Sequence, residues 1–120
     1  SASPQRDALG DTVRSFDAAL TALPADGVVL TDSSVGSVLL HLHPELDIPV
    51  HGYGDVYTDG ELAAKDEMLR VAPGWGDHVA ALDADLALLP DDAPLLDALK
   101  RSGWLATQEH DSLVLLTPPR

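Results

Sequence analysis

Ile48-Pro-Val-His-Gly-Tyr-Gly-Asp-Val-Tyr-Thr-Asp-Gly-Glu-Leu62 is the stretch on which the reading of this chain turns. Its first residues, Ile48 to His51, read as a short strand. Its last, Thr58-Asp-Gly-Glu61, fit the Ser/Thr-x-x-Glu box that opens a helix. A strand running into a helix is the building unit of an α/β fold. Between the two stand His51, Tyr53, Asp55 and Tyr57 at alternate positions. In an extended segment such a row shares one face, and Gly52 and Gly54 leave the opposite face bare for close backbone approach. A row of His, Tyr, Asp and Tyr suits hydrogen bonds to sugar hydroxyls or a polar peptide. The alternative is a structural corner, in which the rings pack and their hydroxyls bond to loop backbone.

Outward from this stretch the alternation continues. Leu9, Val13, Phe16, Leu20 and Leu23 make one apolar stripe and predict a single helix over 4–23, capped by Ser3 or Asp7. Pro24, Asp26 and Gly27 end it. Gly27-Val-Val-Leu-Thr-Asp32 reads as a buried, parallel strand. Ser33 and Ser34 open a short helix with Val35, Val38, Leu39 and Leu42 on one face, stopped by Pro44. The strand at 48–51 follows; Pro49 has no N–H to give a ladder, which places it at an edge or makes it very short. Beyond the central stretch, Leu62, Met68, Leu69 and Val71 lie on a helix, and Trp75 to Leu82 form another. Asp85-Leu-Ala-Leu-Leu-Pro90 is the third buried strand. Pro94 opens a helix carrying Leu95, Leu96 and Leu99, which Gly103 closes. Trp104 to Gln108 and Leu113 to Thr117 are two strands of a hairpin turning at Glu109-His-Asp-Ser112.

This order predicts one α/β domain over residues 1–120, with its core in 27–117. The expected architecture is three-layer and Rossmann-like: a mostly parallel sheet of about five strands, helices on both faces, and a C-terminal antiparallel hairpin. Adjacency and crossover handedness favour the strand at 48–51 beside the strand at 27–32, then the strand at 85–90, with the hairpin beyond.

Composition bounds the rest. A chain of 120 residues can bury one core. Aromatic residues are only 4% of it, so that core must be mostly Leu, Val and Ala. The net charge of −13 repels phosphate backbones and anionic headgroups within about 8 Å at physiological salt; nucleic acid is therefore not an expected partner. The chain has no cysteine, which removes disulfides, thiolate metal sites and thiol catalysis. No apolar run reaches the roughly 20 residues of a membrane span. The chain opens Ser-Ala-Ser-Pro without Met and reads as a piece of something longer. The Ala, Asp, Leu, Val and Pro bias reads as a GC-rich coding bias, with salt adaptation as its rival.

Four chemistries can be weighed on residue types and spacing. In open α/β sheets ligands collect outside the carboxyl ends of strands, which makes Asp32, Ser33 and Ser34 candidate binding residues together with His51, Tyr53, Asp55 and Tyr57. Neither phosphate-loop fingerprint is present, and capping of the helix by Asp32 or Ser33 explains the same residue types. Nucleophilic catalysis has no Gly-x-Ser-x-Gly elbow around Ser37, so no catalytic residue is expected. A metal would need His41, His51 and Asp55 to converge; exposed helix-end histidines at His41 and His43 are the simpler reading, and no metal or cofactor is expected. Asp55 to Asp66 partly matches a calcium loop, but Tyr57 stands at its third position and Asp66 at its twelfth. Trp75 and Trp104 are expected to be core or rim packing.

The features fall in a familiar order: Thr31-Asp32, Gly36-Ser-Val-Leu39 leading to Pro44, Val50-His-Gly-Tyr-Gly-Asp-Val-Tyr57 followed by Glu61-Leu62, Gly74-Trp75, Asp85-Leu-Ala-Leu-Leu-Pro90, Gly103-Trp104 and a closing hydrophobic strand. From Gly27 to Thr117 this resembles the soluble C-terminal domain of bacterial, especially actinobacterial, multi-pass membrane proteins of the glycosyltransferase-C-like type. In those a similar Gly-Gly-Tyr-Leu segment precedes Asp-Gly-Arg-x-Asp-x-Tyr. Here His51 stands where Asp is usual, Tyr53 where Arg is usual and Ser37 where a second Gly is usual. Without that Arg, no anion-handling role carries over to the segment. The resemblance implies a non-catalytic accessory or recognition domain on the extracytoplasmic face of the membrane. Its partner would be the membrane-embedded part of the same polypeptide, with carbohydrate a further one. The chemistry, using a lipid-linked sugar donor, would lie in the membrane-embedded loops. The alternative is a self-contained soluble α/β domain that binds a small polar ligand or acts as a small enzyme in the crevice between Asp32 and 51–57.

Overall fold

A computed structural model describes residues 4–52 and 57–119. The predicted N-terminal helix is two: α1 (Pro4–Arg14) and α2 (Asp17–Thr21). The break has a local cause. Thr12 Oγ1 and Ser15 Oγ donate back to the carbonyls of Ala8 and Asp11, a pattern that loosens and bends helices. Ser15 and Phe16 then close tighter bonds, to Thr12 and Val13. The stripe survives the break, because Val13, Phe16 and Leu20 are all buried.

β1 (Val29–Thr31) leads into α3 (Ser33–Leu42), whose buried face is Val35, Gly36, Val38 and Leu39. After the central stretch come α4 (Asp59–Leu69) and α5 (Trp75–Leu82). The capping box is present in full: Glu61 N–H donates to Thr58 Oγ1 at 3.1 Å, and Thr58 N–H to Glu61 Oε1 at 3.0 Å. Of the apolar residues expected to face the core from α4, Met68 is buried but Leu62 is 41% exposed. β2 (Leu86–Pro90) and α6 (Pro94–Arg101) follow, Pro94 opening the helix at its first turn. Gly103, at φ +101, closes α6, with its N–H on Lys100 O and the Trp104 N–H on Leu99 O; that left-handed turn is what glycine permits. β3 (Leu105–His110) and β4 (Leu113–Thr117) finish the chain. Their turn is shorter than expected: Asp111 and Ser112 both take positive φ, and His110 pairs with Leu113, the geometry of a two-residue hairpin.

The α/β class holds, but the mostly parallel five-strand sheet does not. Among the described residues the sheet has four strands in the order β1-β2-β4-β3, with β1 and β2 parallel and the other two pairs antiparallel. The expected strand at 48–51 is absent; one residue before it, a single parallel bridge joins Val28 to Asp47, on the side of β1 away from β2. Asp47 N–H donates to Gly27 O at 2.8 Å and Val29 N–H to Asp47 O at 3.0 Å. Two residues on, Pro49 has no N–H with which to continue the ladder. The segment thus takes its expected place beside β1 without becoming a strand.

Alternate residues of the strands feed two cores. Val29, Leu86, Leu88, Leu113 and Leu115 pack with Val13, Phe16, Leu20, Val35 and Leu39 on one face. Leu30, Ala87, Leu89, Val114 and Leu116 pack with Met68, Val79, Leu95, Leu99 and Trp104 on the other. Burying each of these leucines contributes roughly 2 kcal/mol. β3 lies outside this arrangement. It is an edge strand, and all six of its residues are exposed.

Candidate functional site

The crevice beyond the end of β1 is built, and largely filled, by the chain itself. The Asp32 carboxylate accepts from the Val35 N–H at 2.8 Å and so caps α3. Thr31 Oγ1, fully buried, donates to Val50 O at 3.0 Å. Ser37 Oγ donates to Ser33 O at 2.9 Å and accepts the Gly52 N–H at 2.8 Å. Gly36 makes this contact possible: a Cβ there would stand 1.8 Å from Val50 O. Residues 50–52 therefore lie directly against α3. Ser33 and Ser34 remain exposed on the first turn of that helix.

The alternating row also takes a different form. Tyr53 and Asp55 lie outside the described residues. The rings of His51 and Tyr57 are 4.9 Å apart, tilted by 34°, where a fully extended row would hold them about 20 Å apart. These two residues do not stand in one extended line; they meet. The Tyr57 hydroxyl donates to Pro49 O at 2.7 Å, as the structural corner requires. The Lys65 ammonium, from α4, sits 4.4 Å from the Tyr57 ring centroid, a favourable cation–π distance. Burial, and then the Lys65 charge, lower the His51 pKa. Burial is also the main reason the Tyr57 pKa is raised. Chemically the cluster is a half-buried imidazole and phenol under an ammonium, able to stack and to exchange hydrogen bonds.

The remaining sequence candidates separate. His41 is exposed near the end of α3, but His43 is buried at 5% exposure, contrary to its reading as an exposed helix-end residue. Its Nε2 lies 2.7 Å from Asp17 Oδ1 and its Nδ1 3.2 Å from Glu45 Oε1, so it ties α2 to the turn after α3. Among the described residues no group of three His, Asp or Glu side chains could hold a metal. The second half of the calcium-loop match is helix from Asp59 onward, and Asp66 pairs with Arg70 at 2.9 Å within α4.

One feature escaped sequence reasoning. Trp75 and Trp104 are half-buried and buried respectively, in keeping with rim and core packing, yet they line one groove of about 310 Å³ together with Asp83, Ser102, Pro118 and Pro119. The residues come from α5, the end of α6, the start of β3 and the C-terminal tail. Only the Gly-Trp dipeptides at Gly74-Trp75 and Gly103-Trp104 hinted at a shared role.

Compared with known proteins, the chain matches no family model, no curated protein and no solved structure.

Proposed function

We propose that the chain is a recognition or accessory domain at the extracytoplasmic face of a polytopic membrane protein of the glycosyltransferase-C-like kind. Its partner is the membrane-embedded part of the same polypeptide, which carries the bond-making chemistry, and carbohydrate is the ligand class it serves. The observation that supports recognition over catalysis is the employment of the polar groups at the head of the sheet. Asp32, Thr31, Ser37 and the Tyr57 hydroxyl all bond to the chain's own backbone. A general base must instead reach the proton it abstracts from a substrate. The order of motifs from Gly27 to Thr117 supports the membrane setting. The charge of −13 suits a domain held off anionic headgroups. The test uses the whole protein in cells. Several apolar spans of about 20 residues are expected in the sequence encoded before Ser1, and the domain is expected to be cleaved by protease added outside the cytoplasmic membrane. Protection of the domain, or the lack of such spans, overturns the reading.

A second reading has its own support in the His51, Tyr57 and Lys65 cluster: a self-contained domain that binds a small polar ligand where open α/β sheets do. A thermal-shift screen over sugars, nucleotides and divalent cations tests it. A rise in Tm that disappears in His51→Ala supports this reading; a flat response to all three classes removes it.

A further inference from the structure

The groove between α5, the end of α6 and the C-terminal tail has walls whose chemistry points to a class of ligand. Its volume of about 310 Å³ is at the small end of the range for small-molecule sites, roughly 300–1,000 Å³. Trp75 stands on the first turn of α5, and Trp104 follows the glycine turn that ends α6. Pro118 and Pro119 close a third side, and the bare Gly103 lets Pro119 approach, since a Cβ at Gly103 would come within 3.3 Å of the Pro119 Cβ. Among the described residues Asp83 is the lining residue that bears a charge. Its left-handed backbone, at φ +48, ends α5, and its side chain is exposed. The Ser102 hydroxyl already donates to Ala98 O at 3.0 Å.

Three effects of one sign meet there. The faces of indole rings are electron-rich and attract cations. The Asp83 carboxylate does the same, and the chain's charge of −13 adds a long-range field of that sign. An anion is opposed by all three. A neutral polyol would find hydrogen-bond partners in the carboxylate and the two indole N–H groups, but it draws nothing from charge, which is what all three effects share. We propose that this groove binds an organic cation with apolar substituents, of the quaternary-ammonium kind. The proposal is independent of the membrane setting.

The two tryptophans of the chain both line the groove, so intrinsic fluorescence reports on it directly. The probe is choline chloride, titrated against sodium chloride at constant ionic strength. A saturating fluorescence change is expected. The neutral carbon isostere, with tert-butyl in place of trimethylammonium, is expected to bind about 10-fold more weakly. Asp83→Asn retains the left-handed turn, which Asn tolerates, and should weaken choline about 3- to 5-fold. Saturation by free choline assigns a soluble cation; saturation by phosphatidylcholine vesicles alone assigns a lipid headgroup. The proposal is overturned if neither saturates, if the isostere binds as well as choline, if Asp83→Asn leaves the affinity unchanged, or if a methyl glycoside saturates the signal where the cations do not.

Discussion

At the scale of the residue, two histidines do different work. The His43 ring lies between the Asp17 and Glu45 carboxylates, with one ring nitrogen facing each. Either neutral tautomer donates to one carboxylate, and the imidazolium donates to both. Both acid side chains are about half exposed, so solvent discounts the pairing. His43→Ala should therefore cost about 2 kcal/mol, from lost packing and lost charge-assisted bonds together. Urea unfolding measures it; a loss near zero would mean the clamp contributes nothing. His51 makes a prediction about pH. Its folded pKa is lowered from the ordinary 6.5 by burial and then by Lys65, so the folded chain holds that proton more weakly than the unfolded chain does. The stability it contributes is present above about pH 6.5 and is lost as pH falls through the folded value. Unfolding free energy should decline between pH 7.5 and 5, and less steeply in His51→Gln. Identical profiles for the two proteins would count against this account. Tyr57 has the opposite sense: its pKa is raised, so its contribution holds below the ordinary value of 10 and fades as pH rises through the raised one.

At the scale of the element, the contact between α3 and residues 50–52 is the tightest test of the fold. A Cβ on Gly36 would meet the Val50 carbonyl, which is backbone, and the buried Thr31 hydroxyl. A Cβ on Gly52 would crowd the Ser37 Oγ, at 2.9 Å, and make ordinary contact with Ser33 O at 3.9 Å; the crowded group is a side chain that can rotate. Gly36→Ala should destabilise by about 3 kcal/mol or more and Gly52→Ala by about 1 kcal/mol. Denaturant midpoints with unchanged slopes decide this, and equal losses would show that residues 50–52 yield to α3. Element identity was legible where local chemistry is strong. The Thr58–Glu61 box, Pro94 at the start of α6 and Gly103 at its end all act within one turn, and a sequence displays them directly. The break between α1 and α2 was hidden, because the apolar stripe runs unbroken through it and the hydroxyl back-bonds of Thr12 and Ser15 leave no mark on that pattern. Asp32 was legible as a cap; that residues 50–52 would fill the crevice beside it was not.

At the scale of the molecule, the surface carries a net charge of −13. Raising sodium chloride from about 0.1 to 1 M shortens the screening length from about 10 to 3 Å. Relief of self-repulsion should raise Tm by a few degrees, as calorimetry would show; an unchanged Tm would mean that these charges do not oppose one another in the fold. The sequence by itself determined the α/β class, the burial of β1 and β2, the hairpin and most caps. Each of these follows from periodicity or from residues a turn apart. Only the tertiary structure decided that 48–51 forms no strand, the one bridge falling at Asp47 just before it, that β3 is an exposed edge, and that among the described residues the sheet holds a single parallel strand pair. Pairing depends on which backbones meet, and side-chain pattern constrains that only weakly. The same reason separates the two candidate sites. The alternation of His51, Tyr53, Asp55 and Tyr57 was plain in one stretch, yet folding brought His51 and Tyr57 ring to ring and used the tyrosine hydroxyl to hold Pro49. Trp75 and Trp104 are far apart in sequence, and it took the packing of α5 and α6 under one sheet face to place them in the same groove.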